Sequence, residues 1–519
     1  MTRSTLEQRR WLLLPVLCLS VFLVVVDNTI VNVALPSFAR NLHASNSSLQ
    51  WIVDAYSLTF AGLLLAGGGV GDRLGRKRTM QVALVCFAGF SALAAFASSV
   101  SGLITARALM GAAAAFIFPT SLAILTSVFT DHAERAKAIG IWSATTGIAV
   151  ALGPITGGAL IEHYWAGSIF LVNVPIVIVT VVLGQVMLPE SRAHSGHPFD
   201  VRGLLIGTTG VTLLVYAIIE GPAWSWWSVQ TVCLIGASLA ILAMFAAVEL
   251  RTPGPLLDVR VFAVRRFSAG ATSIAVAFFA LFGFIFLITQ YFQLVRGYSA
   301  LSAGVRTLPF AVTAALMTPV GAVLALRIGA RWVVGAGLAF MAAGLVVAGT
   351  MPTNAAYLGP VVLSMVLLSL GLSFTTAPST EAVMGSLRLD QVGAGAAVNN
   401  TTRELGGTLG VAVLGSVFAS TFGPHVGAAL TKLGVPHEAA SAASVSMANA
   451  LGVAARLPTG IQGAAVRASH VAFMDALHAS CAVGAVVAAV GSAVAVAYLG
   501  GRRDALAPEV TDAEVGAPA

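Results

Sequence analysis

The chain has 519 residues, of which 57% are apolar and only 9% are charged. Soluble domains carry roughly a quarter charged residues, so most of this surface must contact lipid rather than water. The formal charge of +7 does not indicate nucleic-acid binding, because the basic residues recur between apolar runs instead of forming one patch. The four cysteines lie singly in apolar runs, and no metal site or cofactor is expected.

Fourteen apolar segments are long enough to cross a bilayer, which takes roughly 20 residues. They predict an all-α integral membrane protein whose first segment is an uncleaved span. The predicted spans begin near Leu12, Gln50, Thr79, Gly102, Ala138, Gly167, Gly203, Val229, Ser268, Gly304, Trp332, Tyr357, Ala396 and Phe473.

The basic residues predict the orientation of the spans. If successive spans cross the membrane in alternating directions, most of the 28 basic residues fall in segments on the side of the N-terminus. The positive-inside rule therefore places both termini in the cytoplasm. One long segment on the outer side, 421–472, is either a flexible connector or a set of short helices near 437–455 and 460–472 that cover the outer mouth. The polar tail 501–519 is expected to be disordered.

A loop rich in glycine and charge follows span two, at 68–78. Its glycines allow a tight turn and close helix approach, and Asp72 can face a neighbouring helix end or its own arginines. Such ionic contacts can stabilise one access state over another. The residues that we expect to form this switch are Gly68, Asp72, Arg73, Gly75 and Arg76.

Arg327-Ile328-Gly329-Ala330-Arg331, after span ten, repeats part of that spacing. The repeat indicates internal duplication, with spans one to six and nine to fourteen as halves and spans seven and eight inserted between them. The predicted domains are a six-helix bundle over 1–190, two additional spans over 200–250 and a second six-helix bundle over 265–500, which includes the outer segment.

Span five contains Gly147, Gly153-Pro154 and Gly157-Gly158. A proline kinks a membrane helix, and glycines let another helix pack closely. The pattern indicates either tight packing alone or a part of the conformational switch, made of Gly153, Pro154, Gly157 and Gly158.

These motifs resemble those of the major facilitator superfamily, and within it the fourteen-span drug:proton antiporters of the quaternary-ammonium and multidrug branch. Four further stretches resemble that branch: 27–36, 51–58, 170–175 and 255–262. The resemblance implies a major facilitator fold of two six-helix bundles plus two inserted helices. It also implies a monomeric exporter of amphipathic, cationic drugs, antiseptics or dyes in a bacterial plasma membrane, coupled to protons. An alternative is a same-fold exporter of a lipid, a siderophore or an endogenous antibiotic.

Three charged residues fall inside the outer halves of spans in the first bundle, namely Asp27, Asp54 and Arg107. A charge at the bilayer centre costs roughly 2.5–3.5 kcal/mol, so each is a functional candidate. We expect Asp27 and Arg107 to face the central cavity and to interact, either as a coupling device or as a static ion pair. A proton and a cationic substrate that need the same carboxylate exclude each other.

Asp54 shares a helix face with Trp51 at a spacing of three residues. Together they either bind an organic cation, through cation–π and Coulomb attraction, or form an ordinary hydrated helix end. The residues that we expect to contact substrate are Asp27, Asn28, Asn32, Trp51, Asp54, Tyr56, Asn400 and Glu404.

Span thirteen begins with a polar run, 399–404, part of which must enter the membrane because the apolar part is short. The resemblance places a functional carboxylate here, which we assign to Glu404. Alternatively, Arg403 and Glu404 both extend to the inner boundary. Proton coupling is thus assigned to Asp27, Arg107 and Glu404. Span ten lacks the acidic residue that relatives which handle dicationic compounds can carry there, so the resemblance favours monovalent or neutral amphipaths.

The energy source follows from the absence of a nucleotide-binding motif, since the sequence contains no G-x-x-x-x-G-K-[ST]. The remaining source is the proton gradient. One charge that moves through 100 mV supplies about 2.3 kcal/mol, which sustains roughly a fifty-fold substrate gradient.

Overall fold

The computed structural model describes residues 3–129, 131–191, 200–252, 259–386 and 392–499, and the polar tail therefore lies outside the described residues. This part of the chain is helical and contains no β-strand. The helices are α1 (Arg3–Asn41), α2 (Asn46–Leu74), α3 (Arg76–Ala95), α4 (Val100–Val128), α5 (His132–His163), α6 (Ser168–Leu171), α7 (Asn173–Met187), α8 (Val201–Trp224), α9 (Val229–Glu249), α10 (Arg265–Gln290), α11 (Ala300–Val305), α12 (Leu308–Ile328), α13 (Ala330–Ala348), α14 (Val362–Met384), α15 (Val392–Lys432), α16 (His437–Ser444), α17 (Met447–Ala455) and α18 (Thr459–Tyr498).

The structure agrees with the all-helical prediction and gives thirteen or fourteen candidate spans. Among the described residues, thirteen segments are long and apolar enough to cross a membrane, and α2 is the fourteenth if its two parts, bent by 54°, count as one span. Short helices join longer ones to make single spans: α6 continues into α7, and α11 into α12. Some boundaries differ from the prediction, since α15 and α18 each extend well beyond a bilayer thickness.

Two equivalent turns support the internal repeat. Gly75 joins α2 to α3 with φ +112°, and Gly329 joins α12 to α13 with φ +95°, a region that disfavours side chains. Each amide donates to the carbonyl four residues earlier, Gly71 at 3.0 Å and Ala325 at 2.9 Å. The same backbone therefore recurs at matching points of the first half (α1–α7) and the second half (α10–α18).

Of the inserted pair, α8 packs at the seam between the halves, and α9 packs against α8. On the first half, Trp51 Nε1 of α2 donates to Glu220 Oε1 of α8 at 3.1 Å. On the second half, Ser416 Oγ of α15 donates to the Ile218 carbonyl of α8 at 2.7 Å. Helix α8 therefore contacts one helix of each half.

The segment 421–472 is helical rather than a flexible connector. It comprises the end of α15, the short helices α16 and α17 and the beginning of α18. Alanines of the two short helices are buried, as is Met447. The Val445 carbonyl after α16 accepts a hydrogen bond of 3.2 Å from the amide of Asn46, at the start of α2. These helices thus connect the second half to the first at one end of the bundle.

Candidate transport cavity and ion-pair network

The two halves touch at the end of the bundle opposite to the start of α1, which we call the far side; the other end is the N side. Helix α5 meets α11 there without space for side chains. A Cβ added at Gly158 would lie 2.5 Å from the Leu301 Cα, and one added at Gly304 would lie 2.2 Å from the Pro154 carbonyl oxygen. Glycine at these positions lets the backbones approach closely.

Hydrogen bonds between the halves also lie at the far side. Ser299 Oγ donates to Glu162 Oε2 at 3.0 Å, between the start of α11 and the end of α5. Gln293 Nε2 donates to the Val33 carbonyl at 2.8 Å. On the opposite seam, Gln50 Nε2 donates to the Ala412 carbonyl at 2.9 Å. Each contact lies toward the far side, which is therefore closed.

A cavity of about 650 Å³ lies between the halves from mid-membrane toward the N side. Both halves supply its walls, which are mainly apolar and include five aromatic side chains. Drug-sized ligand pockets have about this volume and this kind of lining. The lining residues are Val24, Val25, Asn28, Thr29, Phe60, Phe118, Trp142, Thr146, Val150, Phe278, Phe282, Thr318, Thr376, Ala377, Thr380, Glu381, Met384, Asn400, Arg403 and Glu404.

The charged part of the lining comes from α14 and α15. Glu404 of α15 and Asn28 of α1 line the same cavity, so each half contributes a polar side chain to its wall at mid-membrane. Arg403 Nη2 donates to Thr380 Oγ1 at 3.3 Å, and its guanidinium carbon lies 5.5 Å from the Phe278 ring centre. Arg403 and Glu404 therefore both reach the cavity, where neighbours on α10 and α14 hold Arg403.

Asp27 does not line the cavity. Its carboxylate forms a fully buried ion pair with Arg107, at 2.5 Å between Oδ2 and Nη1. Asn173 Nδ2 donates to the other oxygen at 2.8 Å and lies 2.9 Å from Ser91 Oγ. Arg107 Nε also donates to the Ile52 carbonyl at 3.1 Å. This network, which we call the first-half ion-pair network, links α1, α2, α3, α4 and α7.

The predicted substrate residues separate into two groups. Asn28, Asn400 and Glu404 line the cavity. Asn32 and Tyr56 are buried within the first half, where the Tyr56 hydroxyl donates to the Val24 carbonyl at 3.1 Å and its ring lies 4.2 Å from the Arg107 guanidinium carbon.

Trp51 and Asp54, for which the sequence left a cation site and a hydrated helix end open, do not face a common site in this conformation. Trp51 points to α8, where its indole donates a hydrogen bond to Glu220 and its ring packs against the ring of Tyr216. Asp54 is fully buried, and neither carboxylate oxygen has a hydrogen-bond partner among the described residues. A spacing of three residues puts two side chains on one helix side, but the adjacent helices decide what each one contacts.

The predicted switch loop forms contacts within the first half. Asp72 pairs with Arg76 at 2.7 Å, and Arg76 Nη1 donates to the Ala123 carbonyl of α4 at 3.2 Å. The Glu190 carboxylate accepts the first amides of α3, from Lys77 and Arg78, at 3.1 and 3.2 Å. Asp72 thus faces an arginine of its own loop. The loop also connects the α2–α3 turn to α4 and to the segment after α7 on the N side. Gly68 lies in the last third of α2, and Arg73 in its last turn.

The glycines of span five contact both α1 and the second half. A Cβ at Gly153 would lie 2.0 Å from Thr29 Oγ1, and one at Gly157 would lie 2.6 Å from the Ile30 side chain. Gly158 and Pro154 meet α11, as described above. The predicted motif therefore lies at the closed end of the seam between α5 and α11.

Two residues of this region were not assigned a role from the sequence. Asn173 belongs to the stretch 170–175, but only the fold brings it to Asp27. Glu381 lies in the last turn of α14 and lines the cavity. Its position at a span end gave no signal, because the sequence does not show which side of that helix faces the interior.

Comparison with known proteins decides the family. The model of the Major Facilitator Superfamily matches residues 17–411. The chain belongs to this superfamily. It is therefore a membrane transporter, as the motifs and the fourteen spans predict.

Several relatives of this transporter carry names from drug resistance. The multidrug efflux pump LfrA of Mycolicibacterium smegmatis is 35% identical over 94% of this chain and 96% of its own length. The methyl viologen resistance protein SmvA of Salmonella typhimurium is 33% identical over 88% and 92%. The tetracenomycin C resistance and export protein of Streptomyces glaucescens is 31% identical over 98% and 95%.

Solved structures confirm the fold of this transporter. A bacterial homologue of the human lysosomal transporter Spinster, in an inward-facing and unoccupied conformation, superposes with a TM-score of 0.64. The two chains are 17% identical, and the match covers 94% of this chain and 97% of the other. At that identity the similarity concerns the fold alone.

Proposed function

We propose that this transporter exports amphipathic organic cations in exchange for protons, by alternating access. The observation that carries the proposal is the cavity of about 650 Å³ between the halves, which contains Glu404 and is closed on the far side. The name of LfrA, a multidrug efflux pump, supports efflux of several drugs, and the name of SmvA, a methyl viologen resistance protein, supports a cationic cargo.

The cavity chemistry suits a planar, positively charged compound. Phe60, Phe118, Trp142, Phe278 and Phe282 offer ring faces, which attract cations as well as apolar surface. A carboxylate among these rings supplies the opposite charge where little water competes.

Glu404 is the proposed site of competition between proton and cargo. An unpaired charge in apolar surroundings is costly, so either a proton or a cation should neutralise this carboxylate when Arg403 does not. Asn28 lines the cavity together with Glu404, and the adjacent Asp27 forms the first-half ion-pair network. Protonation or cargo binding at Glu404 can thus alter the packing of the first half through α1, which carries both Asn28 and Asp27.

The cycle begins with cargo entry from the N side. The halves then rock, which separates α5 from α11 and opens the far side. Cargo leaves, a proton enters from the far side, and the halves return. We place the chain in a bacterial plasma membrane with both termini in the cytoplasm, because of its basic residues. We expect a monomer, since one chain supplies the whole cavity.

The test is Glu404→Gln in purified protein reconstituted into liposomes. Wild-type protein should accumulate or expel ethidium only when a pH gradient is imposed, and ethidium should release protons from the protein in detergent. The variant should lose at least 90% of both signals because glutamine cannot exchange a proton.

Glu438→Gln is the matched control, since it removes an exposed carboxylate of α16 far from the cavity. It should transport like the wild type. Gradient-driven transport at the wild-type rate in Glu404→Gln would exclude Glu404 as the coupling group. ATP-dependent transport without a gradient would exclude the antiport mechanism itself.

A second candidate cargo is an endogenous antibiotic. The name of the tetracenomycin C resistance and export protein supports it, since that relative matches almost the full chain. Competition separates the two proposals: an anionic or neutral antibiotic that displaces ethidium with a lower Kd than any cation would favour the antibiotic exporter.

A further inference from the structure

Glu381 stands at the N-side mouth of the cavity. It lies in the last turn of α14, three residues before the helix ends at Met384, which also lines the cavity. The side chain is exposed, unlike those of the first-half ion-pair network. A cargo that enters from the N side therefore passes Glu381 before it reaches Glu404 at mid-membrane.

Among the described residues, the other charged side chains that line the cavity do not pair with Glu381. Among the described residues, three charged side chains line the cavity: Glu381, Arg403 and Glu404. Arg403 is bound to Thr380, stacks on Phe278 and is adjacent to Glu404, so its charge offsets the deeper carboxylate. No described residue forms a hydrogen bond or an ion pair with the Glu381 carboxylate.

We propose that Glu381 is a specificity residue at the cavity mouth, which selects cargo by the number of its positive charges and brings dications into the substrate range. This inference rests on the cavity of the proposed function. The absence of a carboxylate from span ten favoured monovalent cargo, but Glu381 of span twelve supplies an acidic group to the same cavity.

The charge dependence follows from Coulomb's law. The attraction between a fixed carboxylate and a cargo grows in proportion to the cargo's charge. Removal of that carboxylate therefore changes the affinity of a dication by the square of the factor that applies to a monocation. A neutral compound should not respond. An exposed ion pair corresponds to roughly a threefold change in affinity. The Kd should therefore change by a factor of about one for a neutral cargo, about three for a monocation and about nine for a dication.

The experiment measures binding of three dyes to purified Glu381→Gln in detergent. Nile red is neutral, ethidium carries one positive charge, and propidium has the ethidium ring system with a second one. The Kd should stay unchanged for Nile red, rise about threefold for ethidium and about ninefold for propidium. High salt should reduce both increases, because ions screen an exposed charge.

Two further variants control the interpretation. Glu381→Asp keeps the charge and should restore most of the propidium affinity, whereas Glu438→Gln should change nothing. An equal rise in Kd for all three dyes would mean that the substitution only perturbs the cavity. An unchanged propidium Kd would mean that Glu381 does not sense the cargo. Either result overturns the inference.

The binding assay is independent of coupling. If the dyes show the charge series but Glu404→Gln still transports with a pH gradient, the proposed coupling fails and the role of Glu381 stands. If Glu404→Gln loses transport but Glu381→Gln shows no charge series, the proposed coupling stands and the role of Glu381 fails.

Discussion

A buried guanidinium and a buried carboxylate form the centre of the first-half ion-pair network. The ion pair of Asp27 and Arg107 has no exposed surface, and Asn173 completes the hydrogen bonds of the carboxylate. Such a pair contributes little net stability compared with apolar residues, but the loss of one partner is costly because the other charge remains buried. The sequence left two roles open for Arg107, as a static partner or as part of the coupling, and both stay predictions.

We predict that Asp27→Asn abolishes transport and also destabilises the protein. Arg107 would keep its charge without a counterion, which costs about 3–5 kcal/mol. Thermal unfolding in detergent should show a Tm lowered by several degrees, and pH-driven ethidium transport should be absent.

The double variant Asp27→Asn/Arg107→Gln separates stability from function. It leaves no unpaired charge, so most of the Tm should return. If transport also returned, the pair would have a structural role only; if transport stayed absent while the Tm recovered, the carboxylate itself would be needed for the cycle.

At the scale of helices, small residues decide which end of the bundle is closed. Gly158 and Gly304 let α5 and α11 touch through their backbones, and Glu162 adds a hydrogen bond to Ser299. Span five also packs against α1 through Gly153 and Gly157. One helix therefore connects the first-half ion-pair network on α1 with the closed end of the seam.

We predict that Gly158→Val shifts the protein toward a conformation open on the far side. The added side chain would lie within 2.5 Å of the α11 backbone, which cannot move away as a side chain could. The measurement uses a single cysteine, Asn400→Cys, in the cavity and a membrane-impermeant maleimide. Labelling from the far side should increase severalfold, with less labelling from the N side.

Gly147→Val on the same helix is the control for that shift. A Cβ at Gly147 meets no atom within 4 Å, so its labelling pattern should match that of the parent protein. Equal effects of the two substitutions would show that α5 responds to any side chain rather than to the contact with α11.

For the whole molecule, the contacts imply that the halves separate on the far side during each cycle. The inserted helix α8 contacts both halves near α2 and α15, while the other seam is closed by α5 and α11. Movement at the seam of α5 and α11 is therefore the step that releases cargo in the proposed cycle.

We predict that a covalent link across this seam stops transport but permits binding. In a background without the four native cysteines, Glu162→Cys and Ser299→Cys would be joined by a short bismaleimide, since these side chains meet at 3.0 Å. The linked protein should bind ethidium from the N side and transport less than a tenth of the normal amount.

A pair within one half, Ser45→Cys and Ser48→Cys, controls for the reagent, because their oxygens lie 2.9 Å apart without bridging the halves. Transport at the normal rate after complete linkage of residues 162 and 299 would contradict rocking at this seam.

The sequence by itself determined the many membrane spans and the family, and it predicted an internal repeat. These features can be recognised in short stretches of sequence. They are the length of the apolar segments, the spacing of glycine and charge around Gly75, and the partial repeat of that spacing at Gly329. Local sequence also singled out Asp27 and Arg107, because a charge inside an apolar run is conspicuous whatever its neighbours are, whereas Glu404 came from the family resemblance.

Only the tertiary structure decided what those residues contact. It placed Asp27 in the first-half ion-pair network and Glu404 in the cavity, turned Trp51 toward Glu220 and brought Glu381 to the mouth. Periodicity assigns a residue to one side of a helix, but the partner on that side comes from helices that are distant in sequence. In an all-helical membrane protein each helix satisfies its own backbone, so the arrangement of the helices depends on side-chain contacts that the sequence does not pair.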